Sequence, residues 1–297
     1  MNSGSTVSRR PWNAAGFVRT ALRVGRFSLI LVVLILYLMP IYWMISTSFK
    51  LQPEIFKLPP TLIPEQPTLE NYVSIIAGTM ASAIPFLVYL KNSLLVAVFT
   101  VSATLLLATP AAYAFSRVPF AGKRRLIYFV LVSQMLPVVL ILIPLYRTFM
   151  RLRLLSSYPG LVLPYLMLTL PFSIWMLKGY FDSIPRELDE AAKVDGCTKL
   201  QAMLRVILPN VTPGLTATAI VTFIMAWDEF IIALTIMDDN FMRTLPVGMI
   251  QSFVGEFSVK WGEMMAASVV TTVPVIVIFI FLSKYLIGGL IAGAVKG

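Results

Sequence analysis

Six long apolar runs, near residues 27–48, 92–116, 125–147, 158–181, 212–236 and 265–290, constrain this chain more than anything else in it. A helix needs roughly 20 predominantly apolar residues to cross about 30 Å of hydrocarbon, and each run meets that length. Of 297 residues, 58% are hydrophobic and only 13% charged, whereas soluble domains carry about a quarter charged residues. The polar gaps between the runs are too short to hold a separate soluble domain. The expected fold is therefore one all-α integral membrane domain of six transmembrane helices.

A net charge of +10 raises the possibility of a nucleic-acid partner, but its placement points to a membrane surface. Arg9, Arg10, Arg19, Arg23 and Arg26 precede the first run with no acid among them, and Arg117, Lys123, Arg124 and Arg125 fill the second connection. Cytoplasmic segments carry such an excess of Lys and Arg. The N-terminus is expected inside, and six spans bring the C-terminus with Lys296 inside as well. Arg147, Arg151 and Arg153 run against this trend. The first run is too long for the apolar core of a cleavable signal and lacks a small-residue cleavage site after it.

One cysteine, Cys197, and no histidine leave no basis for a disulfide framework, a thiolate zinc site or histidine catalysis. No Gly-x-x-x-x-Gly-Lys-Ser/Thr occurs, so a nucleotide would have to be bound by another chain. Neither catalytic nor metal-ligating residues are expected.

Prolines punctuate the runs: Pro110, Pro137, Pro144, Pro164, Pro171 and Pro274. Each removes a backbone hydrogen bond and kinks its helix. Ordinary packing irregularity and a bundle bent around a pathway both account for them. The first connection, about 49–88, is rich in proline and is expected over the outer surface, with a short helix near Leu69–Ile76 capped by Thr68. The two halves of the chain show no repeat of the kind common in secondary transporters.

The polar gap between the fourth and fifth runs is the most informative short segment. Pro185 suits a first helical turn, and Glu187, Asp189 and Glu190 complement the helix dipole there. Leu188, Ala191, Ala192 and Asp195 share a face of mostly small side chains, and Gly196 suits a left-handed stop. Thr198 with Gln201 fits a capping box. Leu200, Met203, Leu204 and Ile207 then form an apolar stripe ended by Pro209 and Pro213. Such a helix–turn–helix is either a linker resting on headgroups or a docking element for another protein.

The spacing Glu190-Ala191-Ala192, Gly196, then Val206-Ile207-Leu208-Pro209 resembles the EAA loop of permease subunits of ATP-binding-cassette importers. The resemblance extends along the chain to the carbohydrate permeases of the maltose-importer type. It is carried by Asn92-Ser93-Leu94, Ala111-Ala112-Tyr113-Ala114, Ile143-Pro144-Leu145-Tyr146, Ile184-Pro185-Arg186-Glu187-Leu188, Trp227-Asp228-Glu229-Phe230 and Gly293-Ala294-Val295-Lys296-Gly297. Cys197 stands where alanine is usual, and Asp228 where asparagine is usual.

That resemblance implies a basic cytoplasmic tail at 1–26 and a permease domain at 27–297 in a bacterial inner membrane. It implies a second permease subunit, two ATPase subunits that bind ATP and Mg, an extracytoplasmic solute-binding protein, and a sugar substrate (an oligosaccharide, disaccharide or polyol). It makes Glu190, Ala191, Ala192, Asp195, Gly196, Leu208 and Pro209 the ATPase-coupling residues. Within that set Glu190 is the polar contact, Ala191 and Ala192 the close-packed face, and Gly196 the turn. The chain itself needs no cofactor.

Asp228 and Glu229 interrupt the fifth run. Carboxylates at a helix centre cost on the order of 2.5–3.5 kcal/mol each on insertion scales, so intramembrane acids face a cavity or a partner. Together with Trp227, whose ring can stack on a sugar, they are candidates for the substrate path. Orientation of helices against the partner permease is the other reading. An ion-coupled secondary transporter or channel is the alternative function, with Asp228 and Glu229 as its only candidate relay.

Overall fold

The computed structural model of the protein describes residues 14–78, 85–254 and 259–294, with side chains over 22–78, 85–254 and 259–282. Arg9, Arg10 and Lys296 lie outside the described residues. In chain order the α-helices are α1 (Ala14–Ser48), α2 (Gln52–Ile55), α3 (Glu70–Ala77), α4 (Phe86–Arg117), α5 (Lys123–Val132), α6 (Val138–Leu152) and α7 (Tyr158–Ser183). They continue as α8 (Glu187–Val194), α9 (Lys199–Gln201), α10 (Leu208–Asn210), α11 (Thr212–Trp227), α12 (Ile231–Ile236), α13 (Leu245–Phe253) and α14 (Trp261–Ala294). The part of the expected tail from Ala14 onward is already helical and continuous with the first span.

Among the described residues, four helices are long and apolar enough to cross a membrane: the Leu22–Ser48 part of α1, then α4, α7 and the Trp261–Leu282 part of α14. The other two expected spans are broken. The third bends by 91° between Lys123–Met135 and Val138–Leu152. Leu136 there is extended (φ −74°, ψ 122°) ahead of Pro137, because the proline ring disfavours helical backbone at the preceding residue. The fifth run stops as a helix at Trp227 and resumes at Ile231. By contrast Pro40, Pro110, Pro144, Pro164, Pro171 and Pro274 all sit inside continuous helices.

The core is built on α4, which packs most extensively against α7 and next against α11. Buried threonines join these helices: Thr104 and Thr169 hydroxyls lie 2.8 Å apart, and Ser173 and Thr222 lie 3.2 Å apart. Such pairs satisfy hydroxyls where no water reaches them. Over 22–38 the described side chains of α1 are exposed, leaving an apolar cylinder free for lipid or another chain.

The proline-rich connection is more than a surface strap. Glu54 is buried and its Oε1 accepts from Thr61 Oγ1 (2.9 Å) and Glu65 N (2.8 Å). Lys50 is buried, donates to the Thr61 carbonyl and lies over the Trp43 ring at 4.6 Å. Asn71 Nδ2 closes the segment onto the Ser48 and Lys50 carbonyls, both at 2.9 Å. The short helix runs Glu70–Ala77 with Leu69, not Thr68, at its N-cap; Thr68 Oγ1 still accepts from the Glu70 amide at 3.1 Å just ahead of it.

Candidate functional site

At the end of the bundle where α4 and α7 finish, the chain builds a compact helix–turn–helix. Pro185 and Arg186 precede α8 rather than entering its first turn, and Glu187, Asp189 and Glu190 occupy that turn with Lys193 in the last. Charges so placed oppose the partial charges of the helix ends. Gly196 takes φ +80°. The Gly196 amide donates to Lys193 O (3.0 Å) and the Cys197 amide to Ala192 O (2.9 Å), the paired bonds that satisfy the last carbonyls of a helix closed by a left-handed residue. Thr198 and Gln201 form the expected reciprocal cap, with bonds of 2.9 and 3.3 Å.

Beyond the cap the winding departs from expectation. Residues Ala202–Ile207 are π-helical, and Leu208 N reaches Met203 O. Pro209 has no N–H to give Arg205 O and its ring crowds that turn, so the wider winding accommodates it. The wider turn rotates the apolar stripe apart. Met203 and Ile207 are buried, while Leu200 and Leu204 are exposed. Leu208 is half-buried and Pro209 exposed.

The two alanines of α8 also separate. Ala192 is 2% exposed and turned into its own chain. Ala191 faces outward with Glu190, Lys193, Val194 and Asp195. Successive helical residues differ by about 100°, which puts adjacent alanines on different sides. Glu190 and Ala191 thus form an uncovered face, and Gly196 sets the corner beside it.

What anchors α8 is a set of residues whose pairing does not show in the sequence. Asp189 Oδ1 accepts from Tyr113 Oη at 3.0 Å, and its Oδ2 lies 3.3 Å from Arg117 Nε. Arg117 also donates to Phe181 O (2.9 Å) and Ile184 O (2.5 Å) at the end of α7. A nearby signal was present in Asp189, one helical turn before the small residue Ala192. Its basic partner lies 72 residues earlier at the end of another span, and only folding reveals the pair.

Trp227, Asp228 and Glu229 occupy the break between α11 and α12, and the structure does not gather them into one platform. Trp227 is 3% exposed and stacked on Phe223, with ring centroids 5.2 Å apart. The Glu229 carboxylate accepts from Tyr165 Oη (2.8 Å), Ile232 N (2.8 Å) and Ala233 N (3.1 Å). It caps α12, since the opening amides of a helix have no partner within it. Asp228 alone is exposed.

Bilayer-length apolar helices, two broken spans and an anchored acidic helix with an open outer face define a multi-span membrane protein. Residues 104–291 match the family described as the binding-protein-dependent transport system inner membrane component. The chain is 36% identical to the sulfoquinovosyl glycerol transport system permease protein of Agrobacterium fabrum over 99% of its length and 100% of that protein's. It is 38% identical to the trehalose/maltose transport system permease protein of Thermococcus litoralis, over 89% of this chain and 93% of that one. Its fold matches a chain of a bacterial ABC transporter involved in importing alginate, with TM-score 0.73 and 21% identity, covering 94% of this chain and 99% of that one. The protein belongs to the binding-protein-dependent inner membrane component family and is a permease subunit of an ATP-binding-cassette importer, a transport component and not an enzyme.

Proposed function

We propose that this chain, with a second permease subunit, forms the path for a sugar delivered by an extracytoplasmic binding protein. Two separate ATPase subunits bind ATP and Mg and grip α8. The chain lies in a bacterial inner membrane with α8 and both termini on the cytoplasmic side, and the basic tail at 1–26 precedes the permease domain at 27–297. One observation carries the reading: Asp189 and Ala192 hold α8 inward, while Glu190 and Ala191 stay uncovered at the corner set by Gly196. An uncovered acidic and small-residue face on an anchored helix suits a protein partner better than a headgroup layer, which calls for an outward apolar face with basic flanks. Lys123, Arg124 and Arg125 begin α5 near this end, in keeping with a cytoplasmic position.

Sugar as the substrate class is supported by relatives named for sulfoquinovosyl glycerol and for trehalose and maltose. Carboxylates accept hydrogen bonds from hydroxyls readily, and Asp228 is free to do so. The ion-coupled alternative is disfavoured by Glu229, whose three hydrogen bonds leave Asp228 as the lone free acid of the pair. The test is ATP hydrolysis by the assembled complex, with its binding protein, against a panel of oligosaccharides, disaccharides and polyols. Stimulation by a sugar supports the reading. Uptake that survives removal of the ATPase and follows a proton gradient favours the alternative.

A further inference from the structure

We propose that Arg117 is a positioning residue that welds α8 to the ends of α4 and α7, so that a displacement applied to α8 reaches both spans without slip. The inference rests on α8 being the ATPase-docking element and names the route by which its movement leaves it.

The covalent links alone do not carry such a movement. Between α7 and α8 the chain is non-helical, with Ile184 extended at φ −80° and ψ 133°, and beyond α8 it turns sharply at Gly196. Each link is a place where a short helix can pivot. Packing beneath α8 comes through Leu188, set against the buried cluster of Tyr113, Phe181, Met203 and Ile207, with Ala192 buried as well. Apolar packing of this kind resists separation but is non-directional, so it does little to fix the rotation of a short helix.

Directional restraint comes from the polar cluster. The side chains of Arg117 and Asp189 are 7% and 12% exposed. The Asp189 carboxylate accepts a hydrogen bond from Tyr113 at Oδ1 and faces Arg117 as a buried charge pair at Oδ2, the two partners lying one turn apart on α4. The same guanidinium takes the Phe181 and Ile184 carbonyls that close α7. Tyr113 also meets the Phe181 ring edge-on, centroids 5.7 Å apart, and Ser116 Oγ donates to Asp182 at 2.6 Å. The guanidinium bonds both carbonyls through Nη2 while its charge stays against the carboxylate, which a lysine ammonium on a flexible stem does not reproduce. Buried ion pairs contribute little net stability relative to apolar packing, but they fix geometry where a register must be held.

The test uses the assembled, reconstituted complex in a Cys197→Ser background, with nitroxide labels at Glu187→Cys at the start of α8, away from the Glu190–Ala191 face, and Leu107→Cys on α4. Both positions are exposed. In Arg117→Gln the α8–α4 distance distribution broadens, and ATP hydrolysed per sugar moved rises about tenfold while hydrolysis itself continues, as loss of a coupling free energy requires. Arg117→Lys falls between the two. Unchanged distances with an unchanged ratio in Arg117→Gln overturn the proposal. If that variant does not assemble, Tyr113→Phe removes a single bond. A smaller rise in the ratio then supports the weld, and an assembled complex with the wild-type ratio and distances overturns it. Failure of the docking reading would show differently, as a wild-type complex whose ATP hydrolysis ignores every sugar.

Discussion

Glu229 and Tyr165 meet at 2.8 Å, and through this contact the broken fifth span is tied to α7 while the same carboxylate caps α12. Glu229, one of the two acids that the sequence offers for the substrate path, thus has both carboxylate oxygens engaged in holding the break together. Hydrogen bonds to charged groups contribute about 1.5–3 kcal/mol, neutral ones about 1. Glu229→Ala should lower the thermal unfolding midpoint in detergent by more than Tyr165→Phe does. Equal, wild-type midpoints for both variants would remove the cap from the account.

Asp228 is exposed at the same break. If it faces the sugar path, Asp228→Ala loses a charge-assisted contact worth about 1.5–3 kcal/mol, or about tenfold or more in the apparent affinity of transport. The unfolding midpoint should stay near wild type, opposite to the Glu229 result. Uptake kinetics in proteoliposomes over a range of sugar concentrations decide it.

Gly196 separates conformation from space. A Cβ there meets nothing within 4 Å, yet the residue sits at φ +80°. A β-branched side chain in left-handed backbone costs roughly 1–2 kcal/mol, whereas asparagine visits that region readily. Gly196→Val should abolish transport while the protein still inserts, and Gly196→Asn should retain most of it. Glu190→Lys, on the open face, should lose transport by charge reversal without loss of the folded chain. Uptake and membrane yield, measured together for the three variants, separate docking from folding.

The proline-rich connection should loosen in acid. The Glu65 amide, helped by Thr61, holds the Glu54 carboxyl below its ordinary value against the opposing effect of burial. A group with a depressed folded-state pKa contributes stability that is present above the unfolded value of about 4.3 and lost as pH falls through the folded one. Hydrogen exchange at the Glu65 amide should therefore be protected at neutral pH and lose protection below about pH 4. Glu54→Gln should show reduced protection at every pH and little further dependence on acid.

The apolar runs announced six crossings because hydrophobic length is a local property, and α4, α7 and α14 follow them closely. Local chemistry also announced the corner at Gly196 and the cap at Thr198 with Gln201, since each needs only residues within one turn. The breaks were harder. Pro137 turns its span by 91° whereas Pro110 and Pro274 stay inside unbroken helices, because neighbours decide whether a lost bond becomes a hinge. The π winding at Ala202–Ile207 was hidden in a pattern that reads as an ordinary amphipathic stripe. The pairs Arg117–Asp189 and Tyr165–Glu229 join positions 72 and 64 residues apart, and no periodicity signals a partner at that range.

Whether an ATPase subunit holds α8 is decided by disulfide or short-linker cross-linking from Ala191→Cys in the Cys197→Ser background. Ala191 is outward-facing, unlike buried Ala192. The expected result is a cross-link to the ATPase in the assembled complex, with a yield that changes when ATP is added. A cysteine at 191 that never joins the ATPase, and is instead labelled by a membrane-impermeant reagent from the outer side, would contradict it.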